Sequence, residues 1–379
     1  MKIAVVCYPT FGGSGVVATE LGIALAKKGH DVHFITYRQP VRLDMLVPNI
    51  HFHEVSVPEY PLFQYQPYEL ALSSKLVRII KKHDIQVLHV HYAIPHAYAG
   101  YMAQQMLAQE GIHIPMVTTL HGTDITLVGN HPQYKPAVTF SINQSNAVTS
   151  VSQSLKEDTL RLFDIDDKKI QVVPNFIDIS KSADKDVECQ RHIMAKPTER
   201  IITHISNFRP VKRIEDVVKI FKGITAHMPA KLMMVGDGPL QRDARKQCKE
   251  LGIDEQVIFV GNSNEIDKIL CFSDLFLLPS ERESFGLAAL EAMMHGVPVI
   301  SSNSGGIPEV NKHGFSGFLS EVGAVSDMVA NAVKILENDA TLAAFKANAK
   351  SQAALFDINK IVPVYEEIYE NVLEAVLQS

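Results

Sequence analysis

Short runs of β-branched and apolar residues alternate with amphipathic helical stretches along most of the chain, and the alternation restarts once, near Arg200. In the first half, Ile3–Tyr8 reads as a strand, Val16–Lys28 as a helix and Asp31–Thr36 as a strand. A helix at about Glu69–Lys82, a strand at Val87–His91, a helix near Ala97–Gln109 and a strand at Met116–Leu120 follow. Val148–Val151 and Ile170–Val173 are further short strands. After a polar, charge-mixed stretch rich in Lys and Asp over Ile179–Val187, the order resumes with strand Ile201–Ile205, helix Ile214–Thr225, strand Ala230–Val235 and helix Leu240–Leu251. Then come strand Val257–Val260, helix Glu265–Cys271, strand Leu275–Leu278, helix Phe285–Met294 and strand Val297–Ser301. Strands joined by helical crossovers pair in parallel, and a parallel sheet needs helices on both faces.

This pattern predicts an α/β chain of two Rossmann-like, doubly wound parallel-sheet domains. Residues 1–174 form the first and 175–361 the second, and a last helix at about 362–379 can pack back onto the first. A length of 379 residues exceeds one ordinary core. Ligands of such sheets bind outside the carboxyl ends of the strands, so the expected site is an interdomain cleft.

The formal net charge of −6 argues against a general nucleic-acid or anionic-membrane binder. The opening apolar run is too short for a secretory signal, and no stretch approaches 18 apolar residues. Cys7, Cys189, Cys248 and Cys271 show no disulfide-like or CxxC spacing, which points to a reduced, cytoplasmic setting.

Gly12-Gly13-Ser14-Gly15 lies between the first strand and the first helix, where glycines and helix N–H groups suit phosphate. A dehydrogenase reading fails because the second strand ends Thr36-Tyr37-Arg38-Gln39, with no acid for a ribose. Asn207-Phe208-Arg209-Pro210-Val211-Lys212-Arg213 places three cations at a strand end, suited to a diphosphate or to a solvated basic turn. Gly236-Asp237-Gly238-Pro239 is a second glycine turn. The sharpest signal is Pro279 through Met293, in which Glu283 and Glu291 stand eight positions apart, a helical rise of roughly 12 Å that matches a sugar-to-ribose span. Amides around Phe285, Gly286 and Leu287 would meet phosphate oxygens. His89 and His91 share one face of a strand, with His121 and Asp124 as further conceivable metal ligands; polar lining is preferred, and no metal is expected. Lys75, Arg78, Lys81 and Lys82 form a basic helix face that could touch an anionic membrane but reads better as solvated.

The Glu283–Glu291 segment, the Gly236 turn and Gly305-Gly306-Ile307-Pro308-Glu309 resemble the GT-B, family 4 retaining glycosyltransferases. Cys7-Tyr8-Pro9, Gly12–Gly15, Ala18–Gly22, His51–Val55, His91–Ala97, Thr118–Thr126 and Ser206–Arg209 resemble one branch of that family, the one that opens bacillithiol biosynthesis. The resemblance implies transfer of N-acetylglucosamine from UDP-GlcNAc to the hydroxyl of L-malate with the α configuration kept and no cofactor. An acceptor of lipid or polysaccharide is the alternative, and a non-catalytic nucleotide-sugar binder is a further one. It implies Lys212 and Arg209 at the diphosphate, Glu283 at the sugar, Glu291 at the ribose and His121 beside the reacting carbon. Gly12, Gly13, Ser14, Gly15, Asn207 and Gly236 join Phe285, Gly286 and Leu287 around the donor. Ser14, Tyr92, Thr119 and Arg42 are the acceptor candidates. Asn207 stands where many family members have Arg, which leaves Lys212 the firmer cation. A homo-oligomer is compatible with the sequence.

Overall fold

The computed structural model describes residues 1–10, 12–180, 191–263 and 265–378. Most of the charge-mixed stretch read as a boundary therefore lies outside the described residues. Two compact units emerge, Met1–Asn175 with Ile358–Ser379, and Phe176–Asp357.

In the first unit, β1 (Lys2–Val6), β2 (Asp31–Thr36), β3 (Ile50–Glu54), β4 (Val87–His91), β5 (Met116–Leu120), β6 (Ala147–Ser150) and β7 (Ile170–Val172) form one sheet. Its order is β3-β2-β1-β4-β5-β6-β7, and every pairing is parallel. The second unit holds β8 (Arg200–Ile205), β9 (Ala230–Val235), β10 (Val257–Gly261), β11 (Leu275–Leu278), β12 (Val299–Ser302) and β13 (Gly317–Ser320). Its sheet runs β10-β9-β8-β11-β12-β13, again all parallel. Both central strands, such as β4 and β11, are buried along their whole length, as expected of strands covered on both faces. Strand order reverses between β1 and β4 and between β8 and β11, which opens a crevice at the carboxyl ends of those pairs.

Several elements escape the sequence pattern. β3 carries alternating histidines instead of apolar residues, and β13 is a four-residue run. The helix Asp339–Ala353 is rich in alanine, so its buried positions Leu342, Ala349, Gln352 and Ala353 trace no obvious apolar stripe. Helix Gln153–Leu162 announces itself only by its cap, where Ser152 Oγ accepts from Leu155 N at 3.0 Å. The last helix runs from Ile358 to Leu377 and continues through Pro363, earlier than the expected start. Cys7 and Cys248 are buried free thiols, whereas Cys271 is disulfide-bonded, a pairing that the scattered spacing did not lead us to expect.

That last helix belongs to the first unit by its contacts. Ile358, Ile361, Val362, Tyr365, Ile368, Tyr369 and Val372 are buried, and each aliphatic side chain stabilises by about 2 kcal/mol. Glu366 fixes the register, joining Lys28 Nζ and lying 2.8 Å from His30 Nε2. Tyr369 OH meets His89 Nδ1 at 2.7 Å in a fully buried setting. Tyr369→Phe should therefore destabilise the chain by about 1–3 kcal/mol by leaving a buried imidazole nitrogen without its partner. Urea unfolding measures this, and an unchanged midpoint would contradict the assignment.

Candidate functional site

In the second unit, the chain leaves β8 through Ser206 to Lys212 and leaves β11 through Pro279 to Gly286. These two exits flank the strand-order reversal. The turn Pro210–Lys212 presents Lys212, whose Nζ lies 2.5 Å from Glu283 Oε1. Ser280 Oγ donates to the same carboxylate oxygen at 2.9 Å. Both charged side chains are largely covered, so their pairing is screened far less than a surface ion pair. Backbone bonds lock the two exits together, with Glu281 N donating to Val211 O at 2.8 Å and Gly306 N donating to Glu283 O at 2.9 Å. Two glycines make this packing possible. A Cβ on Gly236 (φ +111°) would meet Ser206 O at 1.9 Å, and one on Gly305 (φ +59°) would meet Glu283 O at 2.1 Å.

Arg209 and Asn207 are exposed beside this pair. Arg213 is turned to Asp216, Nε to Oδ2 at 2.5 Å. His204, behind the turn, donates through Nδ1 to Leu277 O at 2.8 Å and meets Ser206 Oγ through Nε2 at 2.8 Å.

The structure corrects the carboxylate spacing. The helix starts at Leu287, not at Phe285, because Gly286 adopts a left-handed φ of 96° as its N-cap. Glu283 lies in the preceding loop and only Glu291 lies on the helix, so an eight-residue helical rise does not measure their separation. The Phe285 ring is buried and packs edge-on against Phe356 with centroids 5.6 Å apart. Its side chain anchors the loop, while the first-turn amides at Leu287 and Ala288 have no acceptor within the helix itself.

The first unit assembles its own group at the ends of β1, β4 and β5. Gly12 caps the helix Gly13–Lys27, and Gly15 N returns to Gly12 O at 3.0 Å. Tyr92 OH donates to Ser14 Oγ at 2.8 Å. Tyr92 holds φ at +86°, a costly conformation for a tyrosine, and its amide donates to Thr119 O at 2.9 Å. Its ring lies 5.1 Å from those of both Tyr8 and His121. His121 Nε2 and His91 Nδ1 are 2.8 Å apart, and His91 stacks on His89 with centroids 4.5 Å apart. His89 Nε2 reaches Thr119 Oγ1 at 2.8 Å, and Thr119 Oγ1 lies 2.7 Å from Thr149 Oγ1. Thr119 is thus committed to a buried network under the site. Arg42 Nη1 is 3.9 Å from Glu20 Oε1, apart from the Ser14–Tyr92 pair.

Asp124, considered above only as a metal ligand, has a different part. Its carboxylate accepts from Ala93 N at 2.9 Å, Gly122 N at 3.0 Å and His121 N at 3.3 Å, tying the ends of β4 and β5 together. Burial raises it to about 6, with those amides pulling the other way. Beside it opens a cavity of about 680 Å³ whose walls include Tyr8, Tyr92, Pro95 and Thr123. Burial lowers His89 and His121 to about 3 and His96 to about 4, so these imidazoles are neutral at pH 7. The basic helix Tyr68–His83 buries Leu72, Leu76, Ile79 and Ile80 in the core and turns Arg78, Lys81 and Lys82 to solvent. No helix of the described residues is long and apolar enough to cross one.

Comparison with known proteins places these features in a class. Residues 187–352 match the family model "Glycosyl transferases group 1", and residues 11–181 match "Glycosyltransferase Family 4". The N-acetyl-alpha-D-glucosaminyl L-malate synthase of Bacillus anthracis is 46% identical over 375 residues, 98% of this chain and 97% of that protein. The 2-deoxystreptamine N-acetyl-D-glucosaminyltransferase of Niallia circulans is 24% identical over 77% of each chain. Among solved structures, Anabaena Alr3699/HepE in complex with UDP and glucose superposes with a TM-score of 0.81 at 20% identity, covering 98% of this chain and 99% of that one. The sucrose-phosphate synthase of Thermosynechococcus elongatus gives 0.78 at 20% identity, covering 99% of both. These structures share the fold, the GT-B plan of two doubly wound parallel-sheet units. The chain belongs to the family 4 glycosyltransferases.

The buried histidines give a pH signature. His89, His96, His121 and His204 stay neutral in the folded chain down to about pH 3–4, whereas unfolded imidazoles take up protons near 6.5. Unfolding between those values binds protons, so this stability is full above pH 6.5 and is lost as the pH falls toward 4. Urea midpoints should drop steadily from pH 7 to pH 5. A flat profile over that window would contradict the burial of neutral imidazoles.

Proposed function

We propose that this chain is a retaining glycosyltransferase that moves N-acetylglucosamine from UDP-GlcNAc to the hydroxyl of L-malate, the first step of bacillithiol formation. The observation that carries the reading is the 46% identity, over nearly the full length of both chains, to the B. anthracis synthase. The UDP donor is supported by the fold shared with a UDP complex.

Breaking the sugar–phosphate bond places negative charge on the departing UDP and oxocarbenium character on the sugar, so fixed positive potential at the diphosphate is the main requirement. Lys212 is the cation held in place for this, with exposed Arg209 as the second and the amides at the start of helix Leu287–Met294 as further donors. Glu283 serves two ends. It orients Lys212 through one oxygen and takes a sugar hydroxyl, while Glu291 on the helix takes the ribose. Asn207, Gly236 and Gly286 shape the turns around the nucleotide, and Phe285 anchors its loop from the core.

In the first unit, neutral His121 offers a hydrogen bond to the sugar and cannot repel the cationic transition state. The pair Ser14–Tyr92 supplies donors for an acceptor carboxylate, and the amides of Gly12 and Gly13 are assigned to the donor phosphates. Arg42 gives a more distant cation. Thr119 acts by fixing His89 below the site. No carboxylate of the first unit's group is placed as a nucleophile, since both Asp124 oxygens are held by backbone amides. Attack on the face that the phosphate leaves, with that phosphate taking the acceptor proton, fits these residues. Metal is not required for this chemistry, and turnover should survive chelation.

Lys212→Ala and Glu283→Ala should each lower transfer by about 10²–10³-fold or more with far-UV circular dichroism unchanged; near-normal rates in either would remove the donor assignment. For the acceptor, UDP-GlcNAc is offered with a panel of hydroxy acids and with lipid and oligosaccharide acceptors, and UDP release is followed. Malate should be the preferred acceptor. Product with a lipid or sugar acceptor and none with malate would move the chain to another branch of the family.

A further inference from the structure

Period-2 alternation and parallel register gather five titratable side chains on one face of the first sheet, along β2 and the edge strand β3. His33 pairs in register with His51, and Ile35 with His53. Asp31, His33, His51 and His53 therefore share a face, and the helix Tyr68–His83 ends over it with His83. The first unit's group described above stands at the ends of β1, β4 and β5, whereas this cluster is built on β2, the edge strand β3 and the end of the helix Tyr68–His83, so the two are separate.

The rings of His33 and His53 are parallel within 3° with centroids 5.1 Å apart, and His83 lies 4.7 Å from the first and 5.2 Å from the second. His33 Nδ1 and His53 Nε2 are 2.9 Å apart. One ligand atom from each of His33, His53 and His83 lies within 4.8 Å of the others. His33, with 1% of its surface exposed, keeps Nε2 buried without a hydrogen-bond partner, and so does His83. Asp31 is 3.4 Å from His33 Nε2 through Oδ2 and 2.7 Å from His51 Nε2 through Oδ1.

We propose that His33, His53 and His83 form a site for a divalent transition cation of the zinc class, with Asp31 and His51 supporting it from the rim. Three imidazoles converging on one point suit zinc, which takes nitrogen at about 2.0–2.1 Å in tetrahedral geometry. Two nitrogens on one such ion stand somewhat more than 3 Å apart, so the 2.9 Å pair needs only a small opening. The Asp31 carboxylate against His33 is the kind of partner that orients a ligating imidazole. A purely structural reading, in which the rings only hydrogen-bond to one another, leaves His83 Nε2 buried without a partner. A bound cation would satisfy the cluster's lone pairs and tie the edge strand β3 to the end of the helix Tyr68–His83.

The test is calorimetric titration of the chelator-stripped full chain with zinc alone, run on the wild type, His53→Gln and His83→Gln. The wild type should bind one equivalent per chain and gain thermal stability. Each variant should lose more affinity than the roughly 10–100-fold expected for an outer-shell partner, with circular dichroism and the rate of sugar transfer unchanged. Cobalt on the wild type should give the visible bands of a tetrahedral nitrogen site. No zinc retained by the wild type, or equal affinity in wild type and both variants, would overturn the proposal.

Discussion

Parallel pairing is the constraint on which the rest of this structure depends. A parallel strand cannot follow its neighbour through a hairpin, so each return needs a crossover, and all strands of a sheet end at the same edge. In the first unit this brings the exits of β1, β4 and β5, with Ser14, Tyr92 and His121, to one place. In the second it brings the exits of β8 and β11 together, so that Lys212 and Glu283 meet although 71 positions apart. The glycines after β9 and β12, Gly236 against Ser206 and Gly305 against Glu283, let the neighbouring exits crowd against these two.

The two groups are electrostatically unlike. The second unit's group is a largely covered ion pair, in which Glu283 holds Lys212 in place. The first unit's group is made of neutral imidazoles stacked from His89 to His121 and of a carboxylate, Asp124, spent on backbone amides. Neutral imidazoles fit the proposed transfer, in which the stabilising charges belong at the departing phosphate. The C-terminal helix enters this scheme from below, since Tyr369 and Tyr365 close the network that holds His89 and Thr119.

Much of the fold was legible because strand-and-crossover patterning is local and repeated. What escaped did so for physical reasons. β3 hides because histidines occupy the alternate positions where apolar residues would mark a strand, and the helix Asp339–Ala353 hides because alanine blurs its stripe. Candidate residues with a strand-end position, such as Lys212, Glu283, Ser14 and Tyr92, could be named from sequence. Their pairings could not, since both depend on turns set by Phe208, Gly236 and Tyr92 backbone angles. Thr119 shows the limit of that reading, because its neighbours in sequence face a site while its hydroxyl is turned into a buried network. The Glu283–Glu291 spacing shows another, because Gly286 breaks the helix on which the distance was reckoned.

The most direct test of the account is the anomeric configuration of the product formed from UDP-GlcNAc and L-malate by the purified, chelator-treated chain, read by proton NMR. The account predicts a single glycoside with the small H1–H2 coupling of the α anomer, formed in step with UDP. A large diaxial coupling, or UDP released without any malate glycoside, would contradict it.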